Sequence, residues 1–286
     1  MIDAKAGSER SGLSRLGRGV PIGDVLIMGV VNVTPDSFSD GGRYLAADAA
    51  IAHGTQLLAD GADVLDVGGE ATNPRAEPTS ARDELARVLP VIEALVAAGA
   101  SVSIDTTKAV VARAAVAAGA RWVNDISGGL FDPAMAMAIP HGVTYIAGHL
   151  RGRSIREVFI DENRPVTWQE VAVELTERLA GFPVHVRETA WVDPGLGFGK
   201  GADAITNMEL VRHAGDLART VGRPVMVGPS RKRFLRRWLG RGTDEAGLDE
   251  AELDRATVAV CVEGVSAGAK MVRVHNVALL HTALTA

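Results

Sequence analysis

The sequence predicts an α/β fold, a (β/α)8 or TIM barrel built as a single domain, and three observations carry that expectation. From Val25 onward a short β-branched run, a polar residue or glycine at its end, a loop and an Ala-rich amphipathic stretch recur about eight times. Units of about thirty residues fill most of the 286-residue chain, near the ~250 usual for this barrel. The composition, 47% hydrophobic with 4% aromatic and 32 glycines, demands a core of small branched side chains on tightly turned elements. A doubly wound open sheet has the same ingredients and stands as the alternative.

Residues 1–20 come first. Lys5, Arg10, Arg15 and Arg18 lie among Gly and Ser with no long apolar run after them. The segment therefore reads as a mobile leader or a short hairpin closing one barrel end, and secretion is not indicated. The barrel then occupies 21–286. Its first strand is the Val-rich run Val25–Val33, which carries Asn32. Val64–Gly68 follows with Glu70 just beyond it, then Val102–Thr106 with Asp105. Trp122–Ile126 carries Asn124, Thr144–His149 ends on His149, and Ala190–Asp193 ends on Asp193. Val225–Gly228 closes on a glycine with Ser230 beyond, and Met271–His275 carries Arg273 and His275. Helical stretches lie between these runs.

In a barrel all these strand ends converge on one mouth, where active sites of the fold lie. Nine polar or charged residues at one rim are more than loop hydrogen bonding requires. Strand parity agrees: Val102 and Ile104 face the helices while Ser103 and Asp105 point inward, and Arg273 and His275 share the inward face.

A formal charge of −5 gives no general attraction for phosphate backbones, so nucleic acid is not an expected partner. No stretch reaches the length of a membrane span. Cys261 is the single cysteine and fits a reducing compartment, or a fold that needs no staple; a cytoplasmic location is expected. The seven histidines show no metal-ligand spacing such as H-E-x-x-H, and no G-x-S-x-G elbow is present, so zinc and serine-nucleophile chemistry are not expected. Gly195-Leu196-Gly197-Phe198-Gly199-Lys200 matches neither common phosphate loop and reads as a tight strand exit whose glycines let backbone approach a flat ligand. Ser230-Arg231-Lys232-Arg233 opens a helix, where cations are disfavoured by the dipole unless an anion is faced there. Lys232 and Arg273 are the cations expected to act, with Arg233, Arg236 and Arg237 as a solvated face.

The segment Met28-Gly29-Val30-Val31-Asn32-Val33-Thr34-Pro35-Asp36-Ser37-Phe38-Ser39-Asp40-Gly41-Gly42 resembles the signature of the dihydropteroate synthase family of folate biosynthesis. So do Asp66-Val67-Gly68-Gly69-Glu70, Ile104-Asp105-Thr106, Asn124-Asp125-Ile126, Asp193-Pro194-Gly195-Leu196-Gly197-Phe198-Gly199-Lys200, Ser230-Arg231-Lys232 and Arg273-Val274-His275, in family order from Met28 to Asn276. The resemblance implies a TIM barrel that condenses 6-hydroxymethyl-7,8-dihydropterin diphosphate with para-aminobenzoate, giving 7,8-dihydropteroate and pyrophosphate by a dissociative route. It also implies Mg²⁺ held by Asn32, a homodimer formed through late helices, and sulfonamides as possible inhibitors; the apolar Val258–Val265 stretch is compatible with that dimer, and burial within the protomer explains it equally well. By the same resemblance Asp105, Asn124 and Asp193 meet the pterin, and Lys232 donates to its carbonyl. Arg273, His275 and Asn32 hold the pyrophosphate. Asp36 and Phe38 close over the site, Phe198 flanks the aminobenzoate ring, Ser230 meets its carboxylate, and Thr72 and Gly228 complete the substrate-binding positions.

Three departures from the family pattern stand out. Its second-loop arginine is Asn73 here, and Arg75 is the expected substitute. The family's Met-His after the fifth strand is Gly148-His149, which removes a side chain that packs on the pterin, so that either a neighbour fills the gap or the pocket accepts something larger. The Asp after Arg-Val-His is Asn276. The alternative function is a pterin-binding barrel that has lost or redirected the condensation through its altered second loop.

Overall fold

The computed structural model describes residues 25–33, 43–72, 77–160, 165–200, 203–240 and 249–285. Eight strands alternate with helices: β1 (Leu26–Asn32), α1 (Arg43–Ala59), β2 (Val64–Gly68), α2 (Ala81–Ala97), β3 (Val102–Asp105), α3 (Ala109–Ala117) and β4 (Trp122–Asp125). A 3₁₀ turn at Pro133–Met137 precedes β5 (Thr144–Gly148), α4 (Ile155–Ile160), α5 (Trp168–Ala180), α6 (Val184–Thr189) and β6 (Trp191–Asp193). Then come α7 (Ala204–Arg212), α8 (Ala214–Val221), β7 (Met226–Val227), α9 (Phe234–Trp238), α10 (Glu250–Ser266), β8 (Met271–Val274) and α11 (Val277–Thr285). Each strand is one of the expected runs, most of them trimmed by a residue or two. The leader 1–20 lies outside the described residues.

Every strand pair is parallel, in the order β6-β5-β4-β3-β2-β1-β8-β7. A parallel bridge between Val192 and Val225 joins the two ends of the sheet. That seam decides for the barrel, because a doubly wound sheet keeps two free edges.

Period-two alternation sorts the side chains into two cores. Ile27, Val31, Leu65, Val67, Val102, Ile104, Val123, Ala147, Val272 and Val274 pack outward against the helices. Leu26, Met28, Val64, Trp122, Ile146, Trp191, Met226 and Met271 plug the lower barrel. Two of the few aromatics sit in that plug, Trp122 and Trp191, with ring centroids 5.8 Å apart and edge to face. This apolar floor forces the inward polar residues one layer higher into a water-poor setting at the strands' carboxyl ends. No helix among the described residues is long and apolar enough to cross a membrane.

The helices α2, α5, α7 and α10 start where side chains satisfy free N–H groups. Ser80 accepts from Asp83 N at α2, Asp203 from Ile205 N and Thr206 N at α7, and Asp249 from Glu252 N at α10. Thr167 and Glu170 form a reciprocal capping box at α5, with Glu170 N to Thr167 Oγ1 3.2 Å and Thr167 N to Glu170 Oε2 2.8 Å. Thr167→Ala is expected to cost about 1 kcal/mol in denaturant unfolding; an unchanged midpoint would show the box to be dispensable.

Candidate active site

The mouth of the barrel holds a cavity of about 480 Å³, lined by Asn32, Thr72, Asp105, Asn124, Asp193, Phe198, Gly228, Ser230, Lys232, Arg273 and His275 among others. All of these were expected from the sequence. Asp36, Phe38, Asn73 and Arg75 lie outside the described residues.

The floor is a charged cluster around a residue without an expected role. Asp66, midway along β2 and fully buried, accepts from Asn124 Nδ2 (2.9 Å) and from Arg273 Nε (2.6 Å) through one oxygen. Arg273 also donates from Nη2 to Asp105 Oδ2 at 2.6 Å, so two of its three nitrogens are committed to carboxylates. Its guanidinium is thus bound to the floor, leaving one nitrogen to meet an anion. Burial opposes the charge on Arg273, but Asp66 and Asp105 outweigh it and hold the group cationic. Burial also pushes the Asp105 carboxyl up to about 7, against the pull of Arg273. Asn124 Oδ1 is buried and has no hydrogen-bond partner among the described residues. Asp193 uses Oδ1 to accept from Gly195 N at 2.8 Å and presents the rest of its carboxylate to the cavity.

One wall is formed by the loops after β6 and β7. Lys232 Nζ lies 4.5 Å from the centre of the Phe198 ring and donates to Leu196 O. Burial lowers its pKa to about 8. Ser230 Oγ lies 2.8 Å from His275 Nδ1 and accepts from His275 N at 3.2 Å. Burial, with Arg273 beside it, lowers His275 to about 3, so the imidazole is neutral at pH 7. Phe159, an aromatic the sequence did not single out, joins this wall with its ring 6.3 Å from that of Phe198.

The Gly195–Lys200 loop is a tight turn, with Gly195, Gly197 and Gly199 all at positive φ. Gly195 is required for a close approach to backbone: a Cβ there would stand 1.8 Å from His149 O. Lys200, buried beneath the loop, donates to His149 O (2.9 Å) and Phe198 O (3.0 Å), and Asn207 Oδ1 accepts from Gly197 N (2.7 Å). These two side chains hold Phe198 in place, and burial drives the Lys200 pKa well down.

The structure corrects the expectation for His149 and fills in other positions. His149 does not reach the mouth: Ile146 and Gly148 take the inward positions of β5, so His149 turns outward, buried, with Nε2 3.0 Å from Glu174 Oε2 on α5. Burial and nearby Lys200 lower it to about 3. Glu70 lines the cavity, but its carboxylate is engaged by Lys108 Nζ (2.6 Å) and Thr79 N (2.8 Å). The space of a side chain at Gly148 is filled by Ile126, whose backbone would lie 2.5 Å from a Cβ and which itself lines the cavity. Asn276 does not line the cavity; it bonds Asp254 at 3.0 Å. In the late-helix stretch Val260, Cys261 and Gly264 are buried within the protomer, while Val258, Val262 and Val265 are half-buried and Ala259 is exposed.

Asp66 could have been found from the sequence, since it shares the inward parity of Val64 and Gly68. Lys200 ends the glycine-rich motif Gly195–Lys200, which marks its place but not its buried role; Asn207 and Phe159 carry no comparable local signal.

The family described as pterin binding enzyme matches residues 28–275. The chain is 44% identical over 259 residues to a dihydropteroate synthase of Mycobacterium leprae, covering 88% of this chain and 89% of that protein. It superimposes on a Xanthomonas albilineans dihydropteroate synthase solved with 4-aminobenzoic acid, with TM-score 0.80, 38% identity and 92% of each chain covered. The enzyme of that organism in complex with 7,8-dihydropteroate gives TM-score 0.77 and 36% identity over 95% of each chain.

Proposed function

The chain belongs to the pterin-binding enzyme family, among its dihydropteroate synthases, and from that premise we propose how its own residues join 6-hydroxymethyl-7,8-dihydropterin diphosphate to para-aminobenzoate. The observation that carries the reading is the floor of the cavity. Among the described residues Asn124 Oδ1 is a buried acceptor without a donor, and Asn124 lines the cavity together with Asp105 and Asp193. An unmade buried hydrogen bond costs about 1–3 kcal/mol, and a pterin's amino and ring N–H groups supply the missing donors. Lys232 donates to the pterin carbonyl.

The C–O bond to the diphosphate breaks first, and its electron pair leaves with pyrophosphate. The pterin ring shares the resulting methylene cation, and the aniline nitrogen attacks it and releases a proton. Asp105 stabilises the cation through its charge. The free nitrogen of Arg273 and the neutral His275 face the departing anion. Phe198 flanks the aminobenzoate ring and Ser230 meets its carboxylate, with Thr72 and Gly228 against the substrates. Asp36 and Phe38 close the first loop over them, and Arg75 takes the place of the arginine absent at Asn73. Arg75→Ala is then expected to lower turnover; an unchanged rate removes it from the site.

Asn32 ends β1 with its side chain exposed at the cavity. Among the described residues no cluster of three or more His, Cys, Asp or Glu could hold a metal. A single amide oxygen nonetheless fits Mg²⁺, which takes few protein ligands and completes its shell with water and phosphate oxygens. Bound there with the diphosphate, the ion would neutralise charge on the leaving group. The same reading includes a homodimer, a cytoplasmic location, one domain over 21–286, and inhibition by sulfonamides as mimics of para-aminobenzoate.

The deciding experiment is pyrophosphate release from the pterin diphosphate with Mg²⁺, with and without para-aminobenzoate, and the product identified by mass. Dihydropteroate is expected. Binding without product would overturn the condensation. The pH dependence of kcat/KM follows from two groups. Asp105 must be ionised, so the rate falls as pH drops through about 7. Lys232 must be charged, so the rate falls again as pH rises through about 8. A flat profile from pH 5.5 to 9.5 would remove both roles.

A further inference from the structure

Among the described residues Arg231 alone of the non-glycines has a positive φ, 57°. An L side chain holds that conformation only when its surroundings impose it. Here α10 imposes it. Arg231 N donates to Thr257 Oγ1 (3.3 Å), and its Nε and Nη2 donate to Asp254 Oδ1 (3.0 Å) and Oδ2 (3.2 Å). Glu250 lies 3.2 Å from Nη1.

The same Asp254 Oδ2 accepts from Asn276 Nδ2 at 3.0 Å, and Asn276 Oδ1 accepts from Leu279 N at the start of α11. One carboxylate therefore ties the residue after Ser230 to the residue after His275. Ser230 and His275 are themselves bonded, so the contacts close a ring through Arg231, Asp254, Asn276, His275 and Ser230. Burial opposes the charge on Asp254, but the bonds from Arg231 and Asn276 hold its carboxyl below the ordinary range. A carboxylate at 276 could not donate, and would set two negative oxygens against each other.

We propose that Asp254 and Asn276 are positioning residues for the para-aminobenzoate side of the site: they fix the Ser230–His275 contact from outside the cavity, and Asp254 makes an amide at 276 obligatory. The proposal rests on the reading of Ser230 as the group that meets the aminobenzoate carboxylate.

The test compares the wild type with N276D, D254N and the exchange variant D254N/N276D by steady-state kinetics, thermal melting and equilibrium binding of para-aminobenzoate. N276D is expected to raise the KM for para-aminobenzoate about tenfold with kcat held within about threefold. The exchange variant again sets one amide against one carboxylate and is expected to bring KM back to within about threefold of wild type. D254N, which cannot repel Asn276, is expected to raise KM about threefold and serves if N276D does not fold. An unchanged KM in both single variants overturns the proposal. So does a fall in kcat and melting temperature with KM unmoved, or an exchange variant that recovers nothing. A wild type that forms no dihydropteroate would overturn the functional reading instead, and para-aminobenzoate binding to the four proteins would still decide the pair.

Discussion

Asp105→Asn is expected to lower kcat for dihydropteroate formation by at least ~10²-fold, because it removes a charge and leaves the shape nearly intact. The amide oxygen of the introduced asparagine could still accept from Arg273 Nη2, which Asp105 Oδ2 now meets at 2.6 Å, so the floor should hold together. What would be lost is the negative potential beneath the methylene cation, in a layer that the apolar plug below keeps poor in water. The acid limb of the pH profile should vanish with it, since burial raises this carboxyl to about 7. Stopped assays across pH 5.5 to 9.5 measure both effects. A variant that turns over at the wild-type rate would leave Asp105 a structural partner of Arg273 and nothing more.

Gly148→Met carries the largest expected effect on stability. It would restore the residue usual in the family, and intuition suggests a gain. The geometry predicts the reverse. A Cβ on Gly148 would lie 2.5, 2.6 and 2.7 Å from Cα, O and C of Ile126. Those are backbone atoms at the end of a ladder in which Asn124 pairs with Ile146 and Asp125 with Ala147, so they cannot swing aside as a side chain would. Overpacking of this kind costs about 3 kcal/mol, which in a domain of this size lowers Tm on the order of 10 °C. Thermal denaturation checks it. An unmoved Tm would mean that β4 and β5 can separate locally, and that Ile126 does not close this side of the pocket.

The two variants also separate what was legible in the chain from what was not. Asp105, Asn124, Asp193 and Arg273 could be placed at one mouth from local pattern, because a strand's period of two assigns an inward face without knowledge of its neighbours. His149 shows the limit of that reading. It stands at a strand end like the others, but one step off the inward register, and the structure turns it out toward Glu174. Gly148 could be seen as a missing side chain that a neighbour fills or the pocket exploits; that the first alternative holds, with Ile126 as the neighbour, could not.

By itself, then, the sequence determined the eight β/α units, the polar rim and the family, since each is written in short-range periodicity or contiguous motifs, while closure of the sheet into a barrel was settled by the Val192–Val225 seam. Only the tertiary structure decided how the rim is wired. Asp66 meets Asn124 across 58 residues and Arg273 across 207. Asp254 reaches Arg231 across 23 residues and Asn276 across 22. Those pairings, and the pKa shifts they bring to Arg273 and Asp254, arise from which strands and helices become neighbours when the sheet closes. No local rule contains that information, because the partners are brought together by closure and burial and not by their spacing along the chain.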